Sequence, residues 1–151
     1  VALSNRIRPA APKTFRYFAE KGVAVKVISG DNPVTVSEVA RQAGIEGAEK
    51  YVDAATLRSD EDIARAVREY TVFGRVTPNQ KRKLVRALQR QGHTVAMTGD
   101  GVNDAPAVKS ADIGVAMGNG NPEAKRAADY VTDDVDKGGI PKALRRFGLI
   151  G

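Results

Sequence analysis

Short apolar bursts alternate with amphipathic stretches along the whole chain, and Pro and Gly separate them. Pro9 suits the first position of a helix, and residues 10–21 carry Phe15, Phe18 and Ala19 at helical spacing before Gly22 stops them. Val23-Ala24-Val25-Lys26-Val27-Ile28 follows, β-branched and nearly continuously apolar, which predicts a buried strand of a parallel sheet. Asn32 then caps, and Pro33 opens, a helix through Val36, Val39 and Ala40 that ends at Gly44. A shorter helix is predicted over residues 61–69 with Asp60 as its cap, then a strand over residues 71–74. Thr77 and Gln80 flank Pro78 in a capping-box pattern, opening a helix through Leu84, Val85 and Leu88 to Gly92. Strands are predicted at residues 94–97 and 113–116, a helix opened by Asn121-Pro122, and a short edge strand at residues 130–132.

No linker, repeat or low-complexity segment interrupts this alternation. It predicts one α/β domain over residues 1–151, three-layered and Rossmann-like, with helices on both faces of a parallel sheet. Ligands of such sheets bind beyond the carboxyl ends of the strands. The residues at those ends therefore carry the functional reading.

At 151 residues, 42% hydrophobic and 28% charged, the chain can bury a sizeable core. The absence of Cys excludes a disulfide framework and a thiolate metal site. A net charge of +6 raises the question of nucleic acid, but the basic residues are spread out and aromatics are 5%. No ladder for stacking bases exists, so the reading is no nucleic acid and a basic surface that favours phosphorylated ligands. No apolar run approaches the ~20 residues that cross a bilayer, and the start, Val1-Ala2-Leu3-Ser4, is too short for a signal peptide. Lacking an initial Met, the chain reads as a piece of a longer protein.

Ser29-Gly30-Asp31-Asn32 follows the first strong strand and leads into a helix. A hydroxyl, a glycine and backbone amides at a helix N-terminus can cradle phosphate, although an ordinary capped turn has the same composition. Thr98-Gly99-Asp100-Gly101-Val102-Asn103-Asp104 follows the strand at residues 94–97. Its glycines allow a tight turn that exposes Asp100, and with Asn103 and Asp104 it forms an oxygen-rich cluster suited to Mg²⁺. A surface turn explains the glycines but not the crowding of two carboxylates and an amide. Lys81, in the first turn of its helix, opposes the macrodipole, which points to an anionic partner or to a solvated basic face shared with Arg82 and Lys83.

Residues 97–107, Met97 through Ala105-Pro106-Ala107, resemble the hinge signature of P-type cation-transporting ATPases. Ser29-Gly30-Asp31-Asn32 resembles their second phosphate motif, with Ser where Thr is commoner. Arg75-Val76-Thr77-Pro78 with Lys81 is similar to the stretch that holds their active-site lysine, and residues 111–118 to the strand and turn that follow. The likeness runs over residues 8–134 and implies the phosphorylation domain of such a pump, with the haloacid-dehalogenase-like fold.

The resemblance implies that Ser29 and Gly30 hydrogen-bond the transferred phosphoryl group while Asp31 shapes their loop. Lys81 would neutralise its developing charge, Asp100 would bind Mg²⁺, and Asn103 and Asp104 would hold the site together. Arg75 would approach ATP from the side of a separate nucleotide-binding domain. The implied partners are the nucleotide-binding, actuator and transmembrane domains of one membrane-embedded pump, this domain facing the cytoplasm. Ser29, Lys81 and Asp100 are then expected in one cleft.

Two departures from the pattern matter. No Asp-Lys-Thr-Gly-Thr occurs, so the nucleophile and its central strand are absent from these residues. Asn5-Arg6-Ile7-Arg8 stands where many relatives have Asp-Pro ahead of the matching arginine. Without the central strand, the strands at residues 23–28 and 94–97 would face an empty slot, so a dimer through sheet edges is expected of the chain by itself. The rival readings are part of a soluble phosphatase of the same superfamily and a non-catalytic binding module.

Overall fold

The computed structural model describes residues 11–99, 105–116, 122–128 and 130–131. The chain divides into two compact units, Val1–Val76 and Thr77–Gly151.

The first unit contains α1 (Ala11–Glu20), β1 (Val27–Ile28), α2 (Pro33–Gln42), β2 (Tyr51–Asp53), a 3₁₀ turn (Ala54–Thr56), α3 (Asp60–Glu69) and β3 (Val72–Gly74). Its sheet is parallel in the order β1-β3-β2, with Val27 opposite Val72 and Asp53 opposite Gly74. The central strand is the most buried, Val72 and Phe73 being 0% and 1% exposed. Val72 packs with Ala40, Ala43, Ile45 and Ala48, and Phe15, Val25, Val27 and Val36 close around them.

The second unit contains α4 (Pro78–Arg90), β4 (Ala96–Gly99), α5 (Ala105–Ser110), β5 (Ile113–Ala116), α6 (Pro122–Ala127) and β6 (Tyr130–Val131). Its sheet is also parallel, in the order β4-β5-β6. Val85 of α4 packs on Ala107 and Ala111, with Val95 and Met97 beside them. Gln89 Nε2 donates to the Ser110 carbonyl at 2.9 Å, and Val95 N–H donates to the Asp112 carboxylate at 2.8 Å. These bonds tie α4 and the approach to β4 to the α5–β5 connection.

The predicted parallel α/β pattern is present in both units. The helix starts follow local chemistry. Asn32 Oδ1 accepts from the Val34 and Thr35 N–H groups, and Thr77 and Gln80 form the reciprocal capping box at α4. At α3 the cap is Ser59, which accepts from Asp62 N–H, and Asp60 belongs instead to the first turn. There Asp60, Glu61 and Asp62 complement the positive end of the helix dipole while Ile63, Ala66 and Val67 enter the core. Replacing Thr77 with Ala removes the hydroxyl half of the α4 box, the acceptor of the Gln80 N–H, while the Thr77 N–H keeps its bond to Gln80 Oε1, and is expected to cost about 1 kcal/mol in urea unfolding. Serine at the same position should restore most of it.

The paired part of β1 is shorter than the apolar run that predicts it, because its first rung is Val27 opposite Val72. Within that run, Lys26 turns its ammonium to the Tyr70 carbonyl at 2.6 Å. Partial burial, and then the charge of Lys50, lower its pKa from the ordinary lysine value. β4 likewise begins at Ala96 and continues to Gly99. Among the described residues β1 and β4, expected to flank an absent strand, are each an end strand of their own sheet.

Candidate functional site

β1 ends at Ile28, and the next four residues turn the chain into α2. The Ser29 hydroxyl accepts the Asp31 N–H at 3.1 Å, closing a small local turn. The backbone of that turn is held from β3: Val76 N–H donates to the Ser29 carbonyl at 2.9 Å and Arg75 N–H to the Asp31 carbonyl at 2.8 Å. The loop after β1 and the loop after β3 are thus hydrogen-bonded into one surface. Ser29 is half-buried there, while Gly30 and Asp31 are exposed.

Two residues of β3's end make this approach possible. Gly74 lies so close to the first residue of α2 that a Cβ on it would stand 2.4 Å from Pro33 Cα. Arg75 adopts φ +51°, the left-handed region, which costs an ordinary residue about 1–2 kcal/mol. That conformation points its N–H at the Asp31 carbonyl and sends its side chain across to the end of β2. There Nη1 donates to Asp53 Oδ2 at 2.6 Å. Asp53 Oδ1 accepts the Ala55 N–H at 2.9 Å, so the same carboxylate caps the 3₁₀ turn. The Ala55 N–H first, and then the guanidinium, hold the Asp53 carboxyl below its ordinary pKa against the opposing effect of partial burial.

Of the residues singled out in the sequence, Ser29, Gly30, Asp31 and Arg75 are therefore brought together at the carboxyl ends of β1 and β3. Lys81 belongs to the second unit, half-buried in the first turn of α4, with its N–H on the Thr77 carbonyl at 3.0 Å. Asp100, Asn103 and Asp104 lie outside the described residues; β4 reaches Gly99, immediately before them in the chain. Among the described residues no group of His, Asp or Glu is arranged to hold a metal.

Sequence reasoning did not single out Asp53 or the close approach of Gly74. β2 is three residues long and has no alternating pattern to betray it, and Asp53 lies 22 positions from its arginine. An Asp after an apolar β-prone pair, ahead of Ala54-Ala55, was the available signal for a capped strand end.

The family model described as haloacid dehalogenase-like hydrolase matches residues 1–112. The chain belongs to this family. Within the haloacid dehalogenase-like hydrolases it is similar to the calcium-transporting ATPase CtpE of Mycobacterium tuberculosis, at 53% identity over 132 residues. That alignment covers 87% of this chain and 16% of the relative. The probable cation-transporting ATPase exp7 of Streptococcus pneumoniae is 41% identical over 91% of this chain and 18% of its own length. Among solved structures, the catalytic domain of the CPx-ATPase CopB-B, studied for conformational change upon nucleotide binding, superposes with a TM-score of 0.66 at 26% identity. It covers 91% of this chain, which in turn covers 44% of it. These relatives agree with the resemblance to P-type pumps and favour it over a soluble phosphatase.

Proposed function

We propose that residues 1–151 form one phosphorylation domain, without its nucleophile strand, of an ATP-driven cation-transporting P-type ATPase. The carrying observation is the double hydrogen bond that fastens the Ser29-Gly30-Asp31 turn to Arg75 and Val76, since it unites two separate motifs of the resemblance. In this reading Ser29 and Gly30 bind the phosphoryl group, Asp31 shapes their turn, and Lys81 supplies the countercharge. Arg75 meets the nucleotide with its remaining donors. The likeness to P-type pumps supports these roles.

Asp100, Asn103 and Asp104 offer two carboxylates and an amide within five positions, hard oxygen donors of the kind Mg²⁺ takes alongside phosphate and water. Mg²⁺ held by Asp100 would offset negative charge on the phosphoryl oxygens, while Asn103 and Asp104 keep the loop in place. The relatives extend far beyond the segment they share with this chain, 16% of CtpE and 18% of exp7. The nucleotide-binding, actuator and transmembrane parts of the pump are accordingly the partners, with the intact protein in the cell membrane and this domain on its cytoplasmic side. Among the described residues no helix is long and apolar enough to cross a membrane. The CtpE likeness makes Ca²⁺ the first ion to test. β1 and β4, as end strands, supply the edges through which the chain by itself would dimerise, which light scattering can measure.

Binding groups hold a phosphoryl group but cannot accept it. The purified 151-residue chain is therefore expected to retain no acid-stable label from γ-³²P-ATP, whereas the intact pump becomes labelled and hydrolyses ATP when its ion is added. Label on the purified chain, or an intact protein that no cation stimulates, would overturn the proposal.

A further inference from the structure

Asp53 closes β2 beside Gly74 in the ladder, at the strand end next to the one that carries Arg75. Its two oxygens have different tasks. Oδ1 accepts the Ala55 N–H and so locks the carboxylate to the backbone, and Oδ2 accepts from Arg75 Nη1. The exposures differ as well: the Asp53 side chain is 24% exposed and the Arg75 side chain 53%. The carboxylate is the more covered of the two and the guanidinium the more exposed.

An ion pair this open contributes little to stability. Its effect is on geometry. A long arginine side chain samples many rotamers, and holding one terminal nitrogen removes most of them while the planar group keeps its other N–H donors. The main chain of Arg75 is fixed independently, by its left-handed φ of +51° and by its N–H on the Asp31 carbonyl. Backbone and side chain are thus each restrained by a different strand end, the N–H at the Asp31 carbonyl after β1 and the guanidinium at the end of β2, before any ligand arrives. Preorganisation of this kind raises affinity because the ordering cost is met in the free protein.

We propose that Asp53 is a positioning residue for nucleotide binding, which fixes Arg75 so that its outward donors meet ATP. This rests on the reading of Arg75 as the nucleotide-facing arginine. Asp53 acts through Arg75 and does not itself touch the nucleotide, since two carboxylate oxygens already committed to N–H donors would only repel phosphate.

The test uses the intact pump, with the equilibrium Kd for ATP measured by calorimetry in the absence of turnover, together with KM and kcat. Asn at position 53 can still cap the turn but carries no charge for the guanidinium. Asp53→Asn is expected to raise Kd and KM for ATP by about five- to tenfold, the scale of losing one charge-assisted hydrogen bond, with kcat within about twofold. Asp53→Glu should recover most of the affinity, and Asp53→Asn added to Arg75→Ala should weaken binding no further than Arg75→Ala does. Asp53→Ser, which also keeps a capping oxygen, serves in place of Asp53→Asn if that variant does not fold. If Arg75→Ala weakens ATP binding and Asp53→Asn does not, Asp53 has no positioning role while the reading of Arg75 stands. If Arg75→Ala leaves Kd unchanged, both fall. Tighter binding by Asp53→Asn would mean that the carboxylate restrains Arg75 from the nucleotide, and a loss confined to kcat would place its effect elsewhere; either overturns the inference.

Discussion

Lys81→Ala and Asp100→Asn, introduced separately into the intact pump, are each expected to lower the rate of phosphoenzyme formation by about 10²–10³-fold. Phosphoryl transfer asks little covalent chemistry of the protein beyond the nucleophile, and most of the acceleration comes from fixed charges around the moving group. Lys81 is suited to such a role because α4 holds it firmly. The Thr77–Gln80 box and Pro78 define the first turn, and Leu84, Val85 and Ala87 anchor the following turns in the core. A cation at the positive end of a helix is held against the macrodipole, so an anionic ligand gains more from it than from a lysine in mid-helix. Lys83, exposed on the same helix, is the control, and its replacement by Ala should change the rate by no more than about twofold. Asp100→Asn retains the shape of the side chain and removes the charge that would hold Mg²⁺. The measurement is rapid-quench labelling from γ-³²P-ATP. Near-normal labelling by either variant would remove that residue from the site.

Gly74→Ala is expected to destabilise the first unit by about 2–4 kcal/mol, and Gly74→Val by more. The added Cβ would lie 2.4, 2.5 and 2.6 Å from Pro33 Cα, N and Cβ, well inside contact distance. Relief requires a backbone to move, and neither side can do so freely. Gly74 ends the central strand of its sheet, paired with Asp53 on β2. Pro33 has a ring-fixed φ at the first position of α2, directly after the Asn32 cap. Any shift would therefore be passed to the Ser29 turn and to the Arg75 loop. The variant should lose stability in urea unfolding, and the intact pump carrying it should lose phosphate-site function even where it remains folded. By comparison, Gly30→Ala would meet its nearest atom, the Val76 carbonyl oxygen, at 3.8 Å, an ordinary contact, and should unfold like the parent chain. An unchanged urea midpoint for Gly74→Ala would show that the two elements separate more easily than their packing indicates.

The features legible in the sequence are those decided within a few residues or by a repeating pattern. Asn32-Pro33 and Thr77-Pro78 with Gln80 announced two helix starts correctly, because a cap bonds to backbone groups two or three positions away. The alternation of apolar runs with amphipathic segments specified parallel strands joined by helices, since burial on both faces needs continuous apolar residues. At α3 the adjacent Ser59 and Asp60 were both competent caps, and it is the Ser59 hydroxyl that accepts the Asp62 N–H. The Ser29-Gly30-Asp31-Asn32 turn and the Asp100–Asp104 cluster could be proposed from the sequence because each is a contiguous run of residues.

Tertiary structure decided what depends on residues distant in sequence. β2 has too few residues to show a period, and pairing with β3 is what makes it a strand. No local rule joins Asp53 to Arg75 across 22 positions, or requires glycine at position 74 because a proline 41 positions earlier occupies the space of its side chain. A left-handed arginine is likewise unreadable in advance: its backbone strain is tolerated because the Asp31 carbonyl and the Asp53 carboxylate, at the strand ends on either side of β3, both bind it there.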